Sequence, residues 1–204
     1  MFLIYIIIFS TLSYLLGSLN TATIISKGKY GKDIRNEGSK NAGATNTLRV
    51  FGKKAAATVF IFDFLKGFVA VLLARFFIKY LNAPYETALF TGFFIQVGHC
   101  FPIFFKFKGG KGVATAAGSA MGIMPLTAVI LLLIFALILT FTKIVSLASG
   151  ICAVIYPLLA YFLTKSESKL NFVFASACSV LIIILHAPNF ARLIDGNEKP
   201  VSYK

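Results

Sequence analysis

Charged residues are scarce in this chain of 204 residues, where they make up 13% of the sequence against 58% hydrophobic residues. A soluble domain usually has about a quarter of its residues charged. The hydrophobic residues come in long runs, and the mean hydropathy is +0.84. This scarcity of charge excludes an ordinary water-soluble domain and predicts a protein whose solvent is a lipid bilayer.

The chain also lacks the signals of several other classes of protein. Its three cysteines match no metal or redox spacing, so we expect them to pack as small hydrophobic residues, and we predict no metal or cofactor. The first apolar run has neither a basic leader nor a small-residue cleavage signature, which argues against a signal peptide. No nucleic-acid-binding module surrounds the basic residues, so we expect no nucleic-acid partner.

Basic residues, by contrast, are abundant. The chain has 20 lysines and arginines against 7 acidic residues, for a net charge of +13. Most of them fall between apolar runs, as the positive-inside rule predicts for loops on the cytoplasmic side of a membrane.

Seven apolar segments are candidates to cross the bilayer, where a span needs about 20 apolar residues and a shielded helix fewer. They are residues 2–26, 55–80, 85–105, 113–124, 125–141, 145–164 and 170–187. The fourth is short, and it either spans as a tightly packed helix or forms half of a hairpin with the fifth, with the turn at Ile123-Met124-Pro125.

Alternating sides through seven spans collects most basic residues on one face, in residues 27–54, 106–112, 142–144 and 188–204. The sequence therefore predicts an all-α polytopic bundle of seven transmembrane helices. We expect one domain, residues 1–204, with the N-terminus outside and the C-terminus cytoplasmic.

The first polar cluster, residues 37–49, is rich in glycine, asparagine, serine and threonine. Glycines let the backbone approach a ligand, and an arginine adds a planar fork for phosphate or carboxylate. The candidate ligand-binding residues are Ser39, Asn41, Thr45, Asn46 and Arg49. Taken alone, the cluster fits equally well a capped loop between helices.

The second cluster, residues 98–115, contains Gly109, Gly110, Lys111 and Gly112 at the start of a predicted helix. Free N–H groups and the helix dipole make such a segment an anion cradle. It is not a P-loop, because a glycine rather than serine or threonine follows the lysine. A flexible re-entrant turn is the alternative, but a lysine inside the glycine run favours phosphate binding.

The third cluster follows the last apolar span and contains His186, Asn189, Arg192 and Glu198. These side chains either close over a polar substrate or, as this segment alone suggests more strongly, His186 caps the C-terminus of the helix. Because the predicted topology puts all three clusters on one face, we expect Arg49, Lys111 and His186 to converge in one basic site beside the lipid.

Two further features are more easily explained by structure. Asp63 and Lys66 lie three residues apart within the second span, where we expect a structural ion pair on one helix face. Ser146 lies near the turn after Lys143 and either reaches the polar face or bonds across helices.

Three motifs in order carry a resemblance to a known family. Residues 38–49 match a Gly-Ser-Gly-Asn-x-Gly-Ala-Thr-Asn-x-x-Arg loop, with Lys40 where the family usually has glycine. Residues 99–115 match His-x-Phe-Pro followed by Gly-Gly-Lys-Gly-Val-Ala-Thr, and residues 186–198 match His-x-x-Asn-x-x-Arg-Leu-x-x-Gly-x-Glu. The chain thus resembles, over nearly its whole length, the bacterial integral-membrane glycerol-3-phosphate acyltransferases that use acyl phosphate as donor.

The resemblance implies seven helices, motif loops on the cytoplasmic side of the inner membrane, and transfer of a fatty acyl group from acyl phosphate to glycerol 3-phosphate. The products are lysophosphatidate and phosphate, and an acyl-phosphate-forming enzyme would supply the donor. By position, Ser39, Arg49, Lys111, His186 and Asn189 are the implied catalytic residues. The implied substrate-binding residues are Asn41, Thr45, Asn46, Gly109, Gly110, Gly112, Ser146, Arg192 and Glu198.

The base and the class of protein are left open by the residues themselves. His186 has a suitable ordinary pKa, but the phosphate of the donor can equally take the proton. A transporter of an organic phosphate is the main alternative function, although it predicts polar clusters at midplane depth and an internal repeat, whereas the three clusters here lie at one interface and no repeat is evident.

Overall fold

The computed structural model describes residues 2–164 and 167–201, and within these ranges every regular element is helical. The helices are α1 (Phe2–Gly17), α2 (Thr21–Tyr30), α3 (Ala44–Leu81), α4 (Glu86–Cys100), α5 (Val113–Ile123), α6 (Pro125–Thr142), α7 (Val145–Leu163) and α8 (Ser168–Ile194). Short 3₁₀ turns lie at Ile34–Asn36 and Ile103–Phe105. The predicted all-α class is confirmed.

Six helical stretches of the described residues are long and apolar enough to cross a membrane, and α5 is a shorter apolar helix. Large side chains such as Leu133 of α6 and Val173 of α8 are well exposed, which suits contact with lipid. The seven predicted segments are therefore all helical. The predicted orientation of the termini stays a prediction, and residues 202–204 lie outside the described residues.

The first predicted segment, 2–26, falls within one candidate membrane span but is not one continuous helix. The helix breaks between Gly17 and Thr21, where Asn20 takes an extended conformation and caps α2 by accepting from the Thr23 N–H at 2.8 Å. The Asn20 amide also donates to the Ala42 carbonyl at 3.1 Å. Because an asparagine cap satisfies free donors at a helix start, it begins a second helix inside an apolar run.

Contacts divide the chain into two compact units, and the first comprises residues Met1–Ile123. In this unit α1 packs on α4, and α3 packs on α5. Each crossing has a reciprocal pair of glycines. Where α1 crosses α4, a Cβ at Gly17 would overlap the Ile95 carbonyl, and a Cβ at Gly98 would overlap the Tyr14 carbonyl. Where α3 crosses α5, a Cβ at Gly67 would overlap the Thr115 carbonyl, and a Cβ at Gly118 would overlap the Phe64 carbonyl. Small residues let membrane helices approach this closely, so van der Waals contact between backbones holds the unit together.

Helix α3 starts eleven residues before the predicted segment 55–80, because the first turns of the helix are polar and carry no hydropathy signal. Gly52, with φ of +84°, kinks the helix after these turns. Arg49 therefore lies on a short polar arm ahead of the membrane-spanning part of α3.

The second unit comprises Met124–Lys204, and in it α7 packs on both α6 and α8. The predicted turn at Met124 is confirmed, with Pro125 in the first turn of α6. The last helix runs beyond the predicted end at residue 187 and continues through Pro188 to Ile194. The prediction of one domain over residues 1–204 stays a prediction.

All three cysteines are free, and Cys100 and Cys178 are buried. Cys152 is partly buried, and its thiol lies 3.5 Å from the Leu131 carbonyl. Their predicted packing as small hydrophobic residues is consistent with these positions.

Candidate active site

The first polar loop of unit 1 is built around the buried side chain of Asn46. Its amide nitrogen donates to the carbonyls of Ile34, Glu37 and Asn41 at 2.9–3.2 Å, and its oxygen accepts from the Ser39 N–H at 2.8 Å. Asn46 was expected to bind substrate, but its amide already bonds the loop backbone. Its contribution in this structure is to fix the loop that exposes Ser39.

Two residues of this loop have a left-handed backbone. Gly38 has φ of +55°, and a Cβ there would overlap the Asn46 amide oxygen. Lys40 has φ of +59°, and its N–H donates to the Glu37 carbonyl at 2.9 Å. A left-handed conformation is free for glycine but costs about 1–2 kcal/mol for other residues. Lys40 thus adopts, at this cost in conformational energy, the left-handed backbone that the glycine of the resembled family would adopt freely.

The glycine-rich loop, residues 109–112, packs directly against the first loop. A Cβ at Gly110 would lie 3.0 Å from the Ala42 carbonyl oxygen and would overlap Nε2 of His99. The Gly110 N–H donates to the His99 carbonyl at 3.1 Å. Helix α5 begins immediately after Gly112, so the predicted glycine loop at a helix N-terminus is what the structure has.

Arg35, which the sequence did not single out, also joins the two loops. Its guanidinium donates to both Asp33 oxygens and to the Phe105 carbonyl at 2.8 Å. This bidentate hydrogen bonding holds the pKa of Asp33 well below its ordinary value. The contact fastens the segment before the first loop to the turn before the second.

Beneath the glycine loop lies a buried cluster of ionisable side chains. The predicted Asp63–Lys66 ion pair is confirmed, with the Lys66 ammonium 2.8 Å from Asp63 Oδ1. The structure adds His99, whose Nδ1 lies 3.0 Å from Lys66 Nζ and 3.4 Å from Asp63 Oδ1. The sequence analysis noted His99 only as part of a motif and missed this contact, although two intramembrane charges on α3 were a signal that a polar partner lies on a neighbouring helix.

His186 of unit 2 is not a helix cap, because α8 continues eight residues beyond it. The side chain is buried, and its ring stacks at 5.9 Å on Phe190. Nδ1 lies 2.8 Å from the Ile182 carbonyl, and a carbonyl oxygen only accepts, so Nδ1 donates. In the neutral ring the other nitrogen, Nε2, is therefore an acceptor.

The carboxylate of Glu198 organises the other polar residues of unit 2. Asn189 and Ser146 donate to Oε1 at 2.6 and 2.9 Å, and Arg192 donates to Oε2 at 2.8 Å. Burial alone would raise the pKa of Glu198, but these three hydrogen bonds outweigh it and lower the pKa below the ordinary value. Glu198 was expected to touch substrate, and here its observed partners are protein side chains.

An open apolar groove of about 350 Å³ lies in unit 2 between α7 and α8. Its lining includes Gly150, Val154, Ile183, Phe190 and Leu193. Phe190 stacks on His186, so the groove begins beside the polar cluster of this unit.

The structure thus brings the first two predicted clusters together and leaves the third in its own unit. Unit 1 holds Ser39, Asn41, Thr45, Asn46, Arg49, Gly109, Gly110, Lys111 and Gly112, and unit 2 holds Ser146, His186, Asn189, Arg192 and Glu198. The predicted convergence of Arg49, Lys111 and His186 stays a prediction.

Comparison with protein families gives one consistent similarity. Residues 7–196 match the family model described as glycerol-3-phosphate acyltransferase. A protein named glycerol-3-phosphate acyltransferase from Thermoanaerobacter sp. (strain X514) is 41% identical over 200 residues, covering 98% of each chain. One of the same name from Fusobacterium nucleatum subsp. nucleatum is 39% identical over 195 residues, covering 96% of this chain and 97% of that one.

Two solved structures share the fold. One is a crystal structure of PlsY (YgiH), an integral membrane glycerol 3-phosphate acyltransferase, in its glycerol 3-phosphate form. It has a TM-score of 0.88 and 36% identity over 97% of this chain and 96% of that chain. The lysophosphatidic acid form of PlsY has a TM-score of 0.84 and 35% identity, with coverages of 96% and 94%.

Proposed function

The chain belongs to the glycerol-3-phosphate acyltransferase family and transfers an acyl group to glycerol 3-phosphate, and we propose that its donor is an acyl phosphate. In this reaction a glycerol hydroxyl oxygen attacks the acyl carbonyl carbon. The bond from that carbon to the phosphate oxygen breaks, the hydroxyl proton is lost, and lysophosphatidate and inorganic phosphate are released.

The observation that supports this donor is the meeting of two glycine-rich loops, each leading into a helix N-terminus, in unit 1. Helix α3 begins after Gly43, which has no side chain to cap it, and α5 begins after Gly112. Helix N-termini attract anions through free N–H groups and the helix dipole. Glycerol 3-phosphate and acyl phosphate each bring one phosphate, whereas the phosphates of an acyl-CoA thioester lie many bonds from the reacting carbonyl.

Lys111 and the N–H groups of residues 109–112 are proposed to hold one phosphate, and Arg49 the other. Two dianionic groups repel each other, and these cations offset the repulsion. Phosphate is a good leaving group, so positioning and charge stabilisation supply most of the rate enhancement. Ser39 has no base among its observed contacts, so we propose that it binds substrate and forms no acyl-enzyme.

His186 and Asn189 are proposed to bind glycerol 3-phosphate, and the phosphate of the donor takes the hydroxyl proton. The acceptor nitrogen of His186 can receive a hydrogen bond from the glycerol hydroxyl and orient it. The backbone carbonyl behind the ring is neutral, so it stabilises an imidazolium less than a carboxylate would. This favours an orienting histidine over a histidine base.

The apolar groove of unit 2 is proposed to take the acyl chain. Its volume is in the usual range for ligand sites, and the proposed lysophosphatidate product requires a place for a hydrocarbon chain. We further propose that the reaction takes place at the cytoplasmic face of the bacterial inner membrane, near an enzyme that forms the acyl phosphate.

The donor is tested with protein purified in detergent, supplied with glycerol 3-phosphate and either acyl phosphate or acyl-CoA. We expect lysophosphatidate and an equal amount of phosphate from acyl phosphate, and no product from acyl-CoA. Equal turnover with acyl-CoA would show that the proposed donor is wrong. Protein in sealed liposomes that carries labelled glycerol 3-phosphate inward without any acyl donor would instead favour an organic-phosphate transporter.

A further inference from the structure

The buried cluster of Asp63, Lys66 and His99 is not among the residues assigned to the substrates, yet it lies directly under a proposed phosphate-binding loop. All three side chains are at most 8% exposed. Ionisable side chains inside a membrane span cost free energy, so those that occur there are usually paired and functional. The contacts of this cluster indicate its function.

The cluster connects four parts of unit 1. The Lys66 ammonium on α3 donates to the carbonyls of Gly17 and Leu19, at the break between α1 and α2. Thr21, in the first turn of α2, donates to Asp63 Oδ1 at 2.9 Å. His99 on α4 completes the connection and is the member that contacts the glycine loop.

The ammonium of Lys66 determines which nitrogen of His99 carries the proton. An ammonium only donates hydrogen bonds, and Nδ1 of His99 lies nearer to it, at 3.0 Å, than to Asp63 Oδ1, at 3.4 Å, so we infer that Nδ1 accepts. The ring proton then lies on Nε2. A doubly protonated ring would bring two cations into contact in a buried site, which is strongly unfavourable.

The protonated nitrogen lies against the phosphate-binding loop. A Cβ at Gly110 would overlap Nε2, while the backbone carbonyl of His99 accepts from the Gly110 N–H. His99 thus contacts Gly110 through both its ring and its backbone. The same glycine packs against Ala42 of the first loop, so a shift of the ring would move both loops.

We propose that His99 is a positioning residue for loop 109–112, held by the Asp63–Lys66 pair so that its Nε2–H faces Gly110 and keeps the loop in its phosphate-binding shape. This rests on the proposed function, because it assumes that the loop holds the phosphate of a substrate. His99 does not touch the reacting atoms in this role.

The first test separates the two ring nitrogens. The side-chain nitrogen of glutamine extends about as far as Nε2, whereas asparagine reaches only as far as Nδ1. We expect His99→Gln to keep KM within about threefold for both glycerol 3-phosphate and acyl phosphate. We expect His99→Asn, which leaves the space beside Gly110 unfilled, to raise KM about tenfold for the substrate whose phosphate the loop holds, with a smaller change in kcat. A purely structural role would lower the active fraction of both variants and leave KM unchanged, which would overturn the proposal.

The second test is a double-mutant cycle with His99→Ala and Gly110→Ala. In the wild-type background the new methyl group would press on the imidazole, so we expect a large rise in KM for the substrate whose phosphate the loop holds, glycerol 3-phosphate or acyl phosphate. In the His99→Ala background the ring is gone, and we expect the cost of Gly110→Ala to fall at least fivefold. Gly109→Ala is the matched control, because its methyl group would overlap backbone carbonyls of His99 and Cys100 that His99→Ala leaves in place.

The two proposals fail in different ways. Additive effects of His99→Ala and Gly110→Ala in an active wild-type enzyme would overturn the role of His99 alone. If the wild-type protein does not use acyl phosphate, the donor proposal fails. The double-mutant cycle is then measured as the rise in melting temperature that glycerol 3-phosphate or inorganic phosphate produces in each variant. We again expect the effects of His99→Ala and Gly110→Ala on this rise to be non-additive.

Discussion

Unit 1 holds its polar loops with a buried amide and an ion pair, whereas unit 2 holds its polar side chains with one carboxylate near the chain end. The two histidines show the difference most clearly. Nδ1 of His99 faces an ammonium, and Nδ1 of His186 faces a carbonyl, so Nε2 is a donor in the first histidine and an acceptor in the second. What a histidine can do here is therefore decided by the group behind its ring.

The largest effect is expected from breaking the support of unit 1. Asp63→Leu leaves the Lys66 charge uncompensated in a buried position, which costs about 3–5 kcal/mol of folding stability. Asp63→Leu with Lys66→Met removes both charges and should recover most of that loss. Chemical unfolding in detergent measures both variants. If the double variant were no more stable than the single one, the ion pair would not be what unit 1 depends on.

A smaller loss of free energy, divided between folding stability and kcat/KM, is expected from removing the carboxylate of unit 2. Glu198→Gln loses the charge that accepts from Ser146, Asn189 and Arg192, and hydrogen bonds to a charged group contribute about 1.5–3 kcal/mol. The largest part should appear in kcat/KM, because Asn189 is a proposed substrate ligand. Arg192→Ala is the comparison variant: its side chain is 45% exposed, so solvent weakens its pairing with Glu198, and we expect a smaller loss than from Glu198→Gln.

The same carboxylate gives a pH test. Folding lowers the pKa of Glu198, so the charged form stabilises the protein above its unfolded pKa, and this stabilisation is lost as pH falls through the folded value. The wild-type protein should therefore lose melting temperature on acidification below the ordinary glutamate range, and Glu198→Gln should lose less. Parallel curves would mean that another group is responsible.

Exchanging the imidazole of His186 sharpens the contrast between the two histidines. Glutamine at this position removes the ring nitrogen that is proposed to accept from glycerol, and we expect kcat/KM to fall about tenfold. If the donor phosphate takes the proton, as proposed, the pH profile of kcat should keep its shape. Loss of one limb of that profile in His186→Gln would identify His186 as the base instead.

The apolar groove of unit 2 offers a test on chain length. Val154→Phe fills part of the groove and should raise KM for long-chain more than for short-chain acyl phosphate, by a factor of about five to ten. Leu133→Phe on α6 adds similar bulk at an exposed apolar position that does not line the groove. Equal effects of the two substitutions on long and short chains would contradict an acyl-chain role.

The smallest effect concerns the first loop of unit 1. Lys40→Gly relieves a left-handed backbone but gives the unfolded chain more freedom, so we expect a net gain of about 1 kcal/mol or less. Turnover should change little if the loop shape is what matters. A clear rise in KM for glycerol 3-phosphate would show that the lysine contributes charge.

Much of the fold follows from local patterns in the sequence. Apolar runs predict spans because burial in lipid depends on each run by itself, and Pro125 predicts where α6 starts. The break at Asn20 was missed because its amide bonds a carbonyl 22 residues away. The extension of α8 was missed because Pro188 normally marks a helix end, while Glu198 fastens the turn that follows it.

Local patterns in the sequence also predicted part of the candidate site. Lys111 and its glycines were evident because an anion cradle is a contiguous motif. The substrate role of Asn46 stays a prediction, and no local pattern shows that its amide also bonds the loop backbone. His99 was undervalued, since its partners are on another helix and no spacing along the chain relates them.

The glycine pairs at the helix crossings of unit 1 limit which substitutions this enzyme can accept during evolution. Where two backbones touch, no neighbouring side chain can become smaller to make room for a larger residue. Any replacement at Gly17, Gly98, Gly67 or Gly118 therefore forces the helices apart. Residues that face lipid carry no such constraint and can drift among apolar types. Homologous enzymes are therefore expected to diverge mostly on their outer surface, while these four positions stay glycine.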